Sequence, residues 1–171
     1  MAVHEHKQNK HFVSCMVLTI SDTRNTMTDK SGDLMVTLLE RSGHQIVEKE
    51  IIPDESAIIK EITSSGIEDP KVDIILINGG TGIASRDVTI ESIQPLFEKE
   101  LTGFGELFRM LSFQEDIGSA AILSRAIAGV RKNTVIFATP GSTGAVKLAM
   151  ERLILPELSH IVHEIKKDIN G

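Results

Sequence analysis

The sequence lacks tryptophan and tyrosine and contains a single cysteine, Cys15. One cysteine excludes an intrachain disulfide and a cluster of thiolate metal ligands. Because Cys15 lies within an apolar segment, we predict a buried thiol with a structural role. Nucleic-acid-binding proteins usually stack bases on tryptophan and tyrosine side chains, so the absence of both removes these stacking platforms.

Long apolar runs and clusters of positive charge are also absent from the sequence. No apolar run approaches the ~18 residues of a membrane-spanning helix, and the first residues lack the apolar core of a signal peptide. The formal net charge is −6, with no basic block that would attract nucleic acid. We therefore expect a cytoplasmic protein whose partners include neither membranes nor nucleic acid.

The length and composition indicate one domain. A chain of 171 residues that is 41% hydrophobic can fill a single core. Residues 1–10 are polar and predict a flexible N-terminal tail, and residues 11–171 then form the domain. The tail histidines His4 and His6, with His11, receive no predicted function.

Buried strands alternate with amphipathic helices in the first half of the chain. Apolar, β-rich runs predict strands over 12–20, 44–52 and 72–77. Helical spacing predicts one helix around 34–39, ended by Gly43, and another around 58–62, ended by Ser64-Ser65-Gly66. This alternation indicates an α/β fold with a mostly parallel, doubly wound sheet.

The second half adds short helices and a hairpin. The patterns predict a short or kinked helix over 90–97, a turn at 101–105 before a helix from Leu107, and a short helix over 118–124. They also predict strands over 126–130 and 134–139, followed by a terminal helical region from Val146 that is interrupted or restarted at Pro156. Because the two strands are joined by a short hairpin loop, one strand must run antiparallel to its neighbours.

The segment Gly79-Gly80-Thr81-Gly82 follows the most apolar predicted strand. Ligands of open α/β sheets bind at the carboxyl ends of strands, and glycines let backbone N–H groups approach an anion closely. Thr81 adds a hydroxyl donor. The segment therefore predicts a phosphate-binding loop, and the alternative interpretation is a simple tight turn.

Two aspartates, Asp54 and Asp87, follow strands that should end at the same edge of the sheet. A carboxylate next to a bound phosphate is repelled unless a cation lies between them, so both are candidate Mg²⁺ ligands. The alternative is that each aspartate caps a helix, at Ile58 and Thr89 respectively.

Other nucleotide-binding and metal-binding motifs do not fit. Gly141 to Lys147 lacks the spacing of a Walker A loop, and the glycines after Asn78 do not follow the dinucleotide-binding pattern. The sequence also contains no zinc-binding spacing and no nucleophile elbow.

A series of short motifs in the same order resembles the MoaB/Mog family of molybdenum cofactor biosynthesis proteins. They are Ser21-Asp22-Thr23-Arg24, Ser31-Gly32, Pro53-Asp54-Glu55, Asn78-Gly79-Gly80-Thr81-Gly82, Arg86-Asp87-x-Thr89, Gly103-Phe104-Gly105-Glu106, Arg109-Met110-Leu111-Ser112, Ile122-Leu123-Ser124-Arg125-Ala126 and Pro140-Gly141-Ser142. The resemblance extends from about Phe12 to His160.

The resemblance implies a three-layer α/β/α molybdopterin-binding fold that assembles as a homotrimer or a homohexamer. It implies a reaction in which ATP adenylylates molybdopterin, with Mg²⁺ as cofactor and pyrophosphate as the second product. The alternative within the family is a catalytically silent molybdopterin-binding or scaffolding oligomer.

The resemblance also implies roles for individual residues. Asp54 and Asp87 would be the catalytic and metal-binding carboxylates. The residues that would bind nucleotide or pterin are Ser21, Asp22, Gly79, Gly80, Thr81, Gly82, Ser112, Pro140, Gly141 and Ser142.

Overall fold

The computed structural model describes residues 12–169, and within them six strands form one sheet. The strands are β1 (Ser14–Ile20), β2 (Gln45–Ile52), β3 (Ile74–Asn78), β4 (Lys99–Glu100), β5 (Ile127–Arg131) and β6 (Thr134–Thr139). Their order is β2-β1-β3-β6-β5-β4. The pairs β2–β1, β1–β3 and β3–β6 are parallel, whereas β5 is antiparallel to both β6 and β4. The predicted sheet, with one antiparallel strand, is confirmed. The predicted tail 1–10 lies outside the described residues.

Helices connect these strands. They are α1 (Lys30–Arg41), α2 (Ser56–Glu68), α3 (Thr89–Ile93), α4 (Thr102–Glu115), α5 (Thr143–Ala149) and α6 (Leu155–Lys166), with 3-10 turns at Gln94–Leu96 and Gly118–Leu123 and a π-helical turn at Met150–Ile154. Pro156 lies in the first turn of α6, as the predicted restart requires. Within residues 12–169, no helix is long and apolar enough to cross a membrane.

Each face of the sheet has its own apolar core. Alternate side chains of the central strands point to opposite faces, so Leu76 packs in one core and Ile77 in the other. Helices α1, α4, α5 and α6 cover the first core, and α2 and α3 cover the second. The fold is therefore the three-layer α/β/α arrangement that the resemblance implied.

The thiol of Cys15 is fully buried within β1. Burial disfavours the thiolate and raises the pKa of Cys15 to about 12. A thiol with such a pKa is neutral at physiological pH, which agrees with the predicted structural role.

Two predictions based on glycine were wrong. Gly66 does not end α2, which continues to Glu68, and Gly105 lies inside α4 instead of in a turn before it. Both glycines allow close packing. A Cβ on Gly66 would lie 2.6 Å from the sulfur of Met16, and a Cβ on Gly105 would lie 2.5 Å from the carbonyl oxygen of Ala126. The two-residue strand β4 was not predicted, because so short a segment has no measurable periodicity.

The two glycines of α4 provide a matched test of this packing. We expect Gly105→Ala to lower the free energy of unfolding by about 1–3 kcal/mol, because its methyl group would press on a backbone carbonyl that cannot rotate away. Gly103→Ala should instead raise it by roughly 0.5–1 kcal/mol, because no atom lies within 4 Å of the added Cβ and alanine favours helix. Urea denaturation measures both values. Equal effects of the two substitutions would contradict this account.

Candidate functional site

A cavity of about 610 Å³ opens where β1, β3 and β6 reach their carboxyl ends. The sequence-predicted residues that line it are Ser21, Asp22, Asp54, Gly79, Gly80, Thr81, Gly82, Asp87, Pro140 and Gly141. The two aspartates therefore share one cavity with the glycine loop, as their positions after strands that end at the same edge of the sheet suggested.

Ser112 and Ser142 are not among the residues that line the cavity. Ser112 is buried within α4. The Ser142 hydroxyl caps α5, where it accepts a hydrogen bond of 3.2 Å from the backbone N–H of Ala145. The ligand-binding roles expected of these two residues therefore stay predictions.

The glycine loop begins with two residues in the left-handed region. Gly79 has φ of +95° and Gly80 has φ of +64°, conformations that other residues rarely adopt. A Cβ on Gly79 would lie 2.3 Å from the carbonyl oxygen of Ile20. The Thr89 hydroxyl donates a hydrogen bond of 2.9 Å to the Gly79 carbonyl oxygen. The loop is thus held tightly between the end of β1 and the start of α3.

Asp54 and Asp87 flank this loop and do not cap helices. The N-cap residues of α2 and α3 are Glu55 and Val88, and neither uses its side chain as a cap. A Cβ on Gly80 would lie 2.8 Å from Asp54 Oδ1, and one on Gly82 would lie 2.6 Å from Asp87 Oδ2. Both carboxylates therefore approach bare backbone, and the capping interpretation was wrong.

The pKa of Asp54 is raised. The main cause is burial, followed by the negative charges of Asp22 and Asp87. Asp22 has a lowered pKa, because its carboxylate accepts hydrogen bonds from the Arg86 guanidinium. A cation bound beside Asp54 would relieve this repulsion.

A salt bridge joins two of the loops that surround the cavity. Arg86 Nε and Nη2 lie 3.0 and 2.6 Å from Asp22 Oδ2, and the other oxygen of Asp22 accepts a 3.0 Å hydrogen bond from the backbone N–H of Asp54. Asp22 therefore links the loops after β1, β2 and β3.

Two arginines that are not among the predicted site residues also line the cavity. Arg24 Nη2 donates to the carbonyl oxygen of Gly141 at 2.8 Å, and Arg125 Nε donates to that of Thr81 at 3.0 Å. Arg125 also contacts Glu91 at 2.6 Å. Both arginines occur within motifs that carry the family resemblance, but only the folded chain shows which carbonyl groups they contact.

Among residues 12–169, no group of three or more histidine, cysteine or acidic side chains has the geometry of a metal site. Such a cage is not required for Mg²⁺, which commonly binds one or two carboxylates together with phosphate oxygens of a substrate. Asp54 and Asp87 are the residues of the cavity that fit this role.

Known proteins resemble this chain over almost its whole length. Residues 16–160 match the family model described as a probable molybdopterin binding domain. Molybdenum cofactor biosynthesis protein B of Bacillus subtilis (strain 168) is 60% identical over 169 residues, which are 98% of this chain and 99% of that protein. The protein of the same name from Halalkalibacterium halodurans is 57% identical over 169 residues, with the same shares covered.

Solved structures agree with the sequence comparison. A crystal structure of molybdenum cofactor biosynthesis protein B has a TM-score of 0.90 at 52% identity and covers 92% of this chain and 98% of that one. The tungsten cofactor synthesizing protein MoaB from Pyrococcus furiosus has a TM-score of 0.82 at 37% identity, and the match covers 91% of this chain and 98% of that one. The chain therefore belongs to the MoaB/Mog family, and molybdenum cofactor biosynthesis is the process in which it acts.

Proposed function

We propose that this protein catalyses the Mg²⁺-dependent adenylylation of molybdopterin by ATP. The terminal phosphate of molybdopterin attacks the α-phosphorus of ATP, and the bond between the α- and β-phosphates breaks. Adenylyl-molybdopterin and pyrophosphate are the products. The observation that carries this proposal is the convergence of a glycine-rich loop and two carboxylates, Asp54 and Asp87, on one cavity.

The chain supplies binding and positioning in this reaction. Nucleotidyl transfer needs little covalent participation by protein groups, and catalysis rests on alignment and on balancing the negative charge. The backbone of Gly79, Gly80 and Gly82 can approach phosphate oxygens because these residues have no side chains in the way. Arg24 and Arg125 add positive charge to the same cavity.

Asp54 and Asp87 would hold Mg²⁺ together with the phosphates of ATP. The raised pKa of Asp54, caused by burial and neighbouring carboxylates, supports this role because a bound cation would relieve the repulsion. Bound Mg²⁺ would neutralise phosphate charge and polarise the phosphorus under attack. The cytoplasm, where ATP and Mg²⁺ are abundant, is the compartment that we propose for the reaction.

A volume of about 610 Å³ lies within the usual range of small-molecule sites, roughly 300–1,000 Å³. One wall of the cavity contains the apolar side chains of Ile117 and Leu123. A cavity lined both by apolar side chains and by a polar glycine loop suits a ligand that combines flat rings with phosphates, as both ATP and molybdopterin do.

We further propose that the protein is a homo-oligomer, a homotrimer or a homohexamer. Leu107, Met110 and Phe113 recur at three-residue spacing on α4 and are exposed, and the exposed side chains of Ile117 and Ile122 follow in the next segment. An exposed apolar face of this kind is typical of an interface between subunits. The same face favours the second candidate function, a catalytically silent molybdopterin-binding or scaffolding oligomer.

Turnover distinguishes the two functions. Wild-type protein mixed with ATP, Mg²⁺ and molybdopterin should release pyrophosphate and form adenylylated pterin. We expect Asp87→Ala to lower kcat by about 100-fold or more, because a ligand of the cation is lost. Asp54→Asn should act in the same direction. A coupled pyrophosphate assay and mass spectrometry of the pterin measure the products.

Glu61→Gln, which changes an exposed carboxylate on α2, serves as the control and should leave turnover unchanged. Circular dichroism verifies that each variant is folded. Wild-type protein that binds molybdopterin but releases no pyrophosphate would favour the scaffolding function instead.

The raised pKa of Asp54 also predicts an effect on stability. The pKa of Asp54 is higher in the folded protein than in the unfolded chain. The free energy of unfolding therefore falls as the pH rises through the folded-state pKa and Asp54 becomes ionised. Without metal, Asp54→Asn should therefore raise Tm at pH 7 by about 1–3 °C, and the gain should shrink toward pH 4. Differential scanning fluorimetry in EDTA measures it, with Glu61→Gln as the control. A gain that does not depend on pH would rule out this electrostatic cause.

The apolar face of α4 predicts the assembly state. Met110→Glu would place a charge within the interface and should raise the dissociation constant of the oligomer at least about 100-fold. Met27→Glu is the matched control, because Met27 is a methionine with 91% exposure in the loop before α1. Sedimentation velocity reports both masses. An unchanged mass for Met110→Glu would show that α4 does not form the interface.

A further inference from the structure

The carboxylate of Asp29 is fully buried, although it lies only one residue before α1. Its Oδ1 atom accepts a hydrogen bond of 3.0 Å from the backbone N–H of Gly32, and its Oδ2 atom accepts one of 2.9 Å from the Thr19 hydroxyl. A Cβ on Gly32 would lie 2.1 Å from Oδ2. The surrounding chain therefore encloses this carboxylate tightly.

Capping α1 does not by itself explain a buried charge. Serine, threonine or asparagine at the N-cap position would accept the same hydrogen bond without a charge to bury. Burial of a carboxylate is unfavourable unless cations and hydrogen-bond donors compensate for it. Two cations do so here, since Lys49 Nζ lies 3.3 Å from Asp29 Oδ2 and Arg24 Nη1 lies 3.8 Å from Oδ1.

Arg24 connects this buried charge to the walls of the cavity. Its Nη2 atom donates to the Gly141 carbonyl oxygen at 2.8 Å, and its Nη1 atom donates to the Ser31 hydroxyl. The Ser31 hydroxyl in turn donates to Asn78 Oδ1 at 2.8 Å, at the end of β3. One guanidinium therefore joins the loops that follow β1 and β6 to the residue before the glycine loop.

The contact with Gly141 matters for anion binding. A Cβ on Gly141 would lie 3.1 Å from the Cα atom of Gly79, so the two loops are packed against each other. A carbonyl oxygen directed into a phosphate site repels the phosphate, whereas a carbonyl engaged by a guanidinium is held in place and its charge is balanced. The planar fork of arginine can hold two acceptors in a fixed geometry, which lysine cannot do.

We propose that Asp29 is a positioning residue that orients Arg24, and that Arg24 thereby holds the Gly141 loop and the glycine loop in the arrangement that binds the phosphates of the nucleotide. Asp29 acts through Arg24 without contact with the substrate. This role rests on the proposed adenylylation, because it assigns the cavity to nucleotide phosphates.

Asp29→Asn tests the proposal, because asparagine retains the shape and the N-cap oxygen but removes the charge. We expect Kd for ATP, measured with Mg²⁺ by isothermal titration calorimetry, to rise about tenfold, equivalent to about 1.4 kcal/mol. KM for ATP should rise by a similar factor while kcat changes little, since the substitution leaves Asp54 and Asp87 in place.

Asp33→Asn is the matched control. Asp33 also contacts Lys49 from α1, but its side chain is 60% exposed. This variant should bind ATP as wild type does. If both variants weakened ATP binding equally, the effect would belong to the general charge of α1 and the proposal would fail.

Arg24 variants separate positioning from simple charge. Arg24→Gln should weaken ATP binding as Asp29→Asn does, and the double variant should lose little more than either single one, because both act through one contact. Arg24→Lys keeps the charge but loses the fork and should not restore binding. Additive losses, or full binding by Arg24→Lys, would overturn the proposal.

The outcomes also separate this inference from the proposed reaction. If Asp29→Asn lowers Tm but binds ATP normally, Asp29 is only structural and the adenylylation proposal stands. If the wild-type protein binds ATP without releasing pyrophosphate, the proposed adenylylation is wrong. A tenfold higher Kd for ATP in Asp29→Asn would still support the positioning role of Asp29. If wild type binds no ATP, both proposals fail.

Discussion

The close contact between the Gly79–Gly80 backbone and the end of β1 is the constraint on which the site depends. Gly79 has almost no space for a side chain beside the Ile20 carbonyl, and its positive φ turns the chain sharply as it leaves β3. The turn directs the following residues across the carboxyl ends of the strands, where ligands of parallel sheets bind. The Thr89 hydroxyl donates a hydrogen bond to the Gly79 carbonyl from the other side, so contacts within the protein fix the conformation of the loop.

The balance of charge around this turn would allow an acidic protein to hold phosphates at the proposed site. The net charge of −6 does not attract an anion from a distance, so the attraction must be local. Arginine side chains supply it within the cavity, and each is backed by a carboxylate. Arg24 lies near the buried Asp29, and Arg125 contacts Glu91. These carboxylates hold the guanidinium groups in position without removing the donors that face the loops.

The carboxylates beside the glycine loop show a conflict between stability and function. Ionised Asp54 is unfavourable where it lies, because burial and neighbouring negative charge raise its pKa. A cation that bridges protein and substrate would need this unfavourable charge, and strained or charged groups of this kind are common at functional sites.

The exposed apolar face of α4 is a second feature that the isolated chain does not explain, and it is continuous with the cavity wall through Ile117. The proposed assembly and the proposed ligand binding would therefore share one segment of the chain.

The amino-acid sequence alone is enough to predict the main strands, the two-sided burial of β3, the glycine loop and the presence of Asp54 and Asp87 at one edge. These features follow from local periodicity and from the rule that parallel strands end together. The folded structure was needed to show that Gly66 and Gly105 are packing positions inside helices, that Ser142 is a cap and that Ser112 is buried outside the cavity lining. The same holds for Arg24, which meets the carbonyl of Gly141 at a separation of 117 residues. Periodicity reports which face of an element is buried, but a contact between distant loops depends on how the whole sheet is assembled, and no local pattern carries that information.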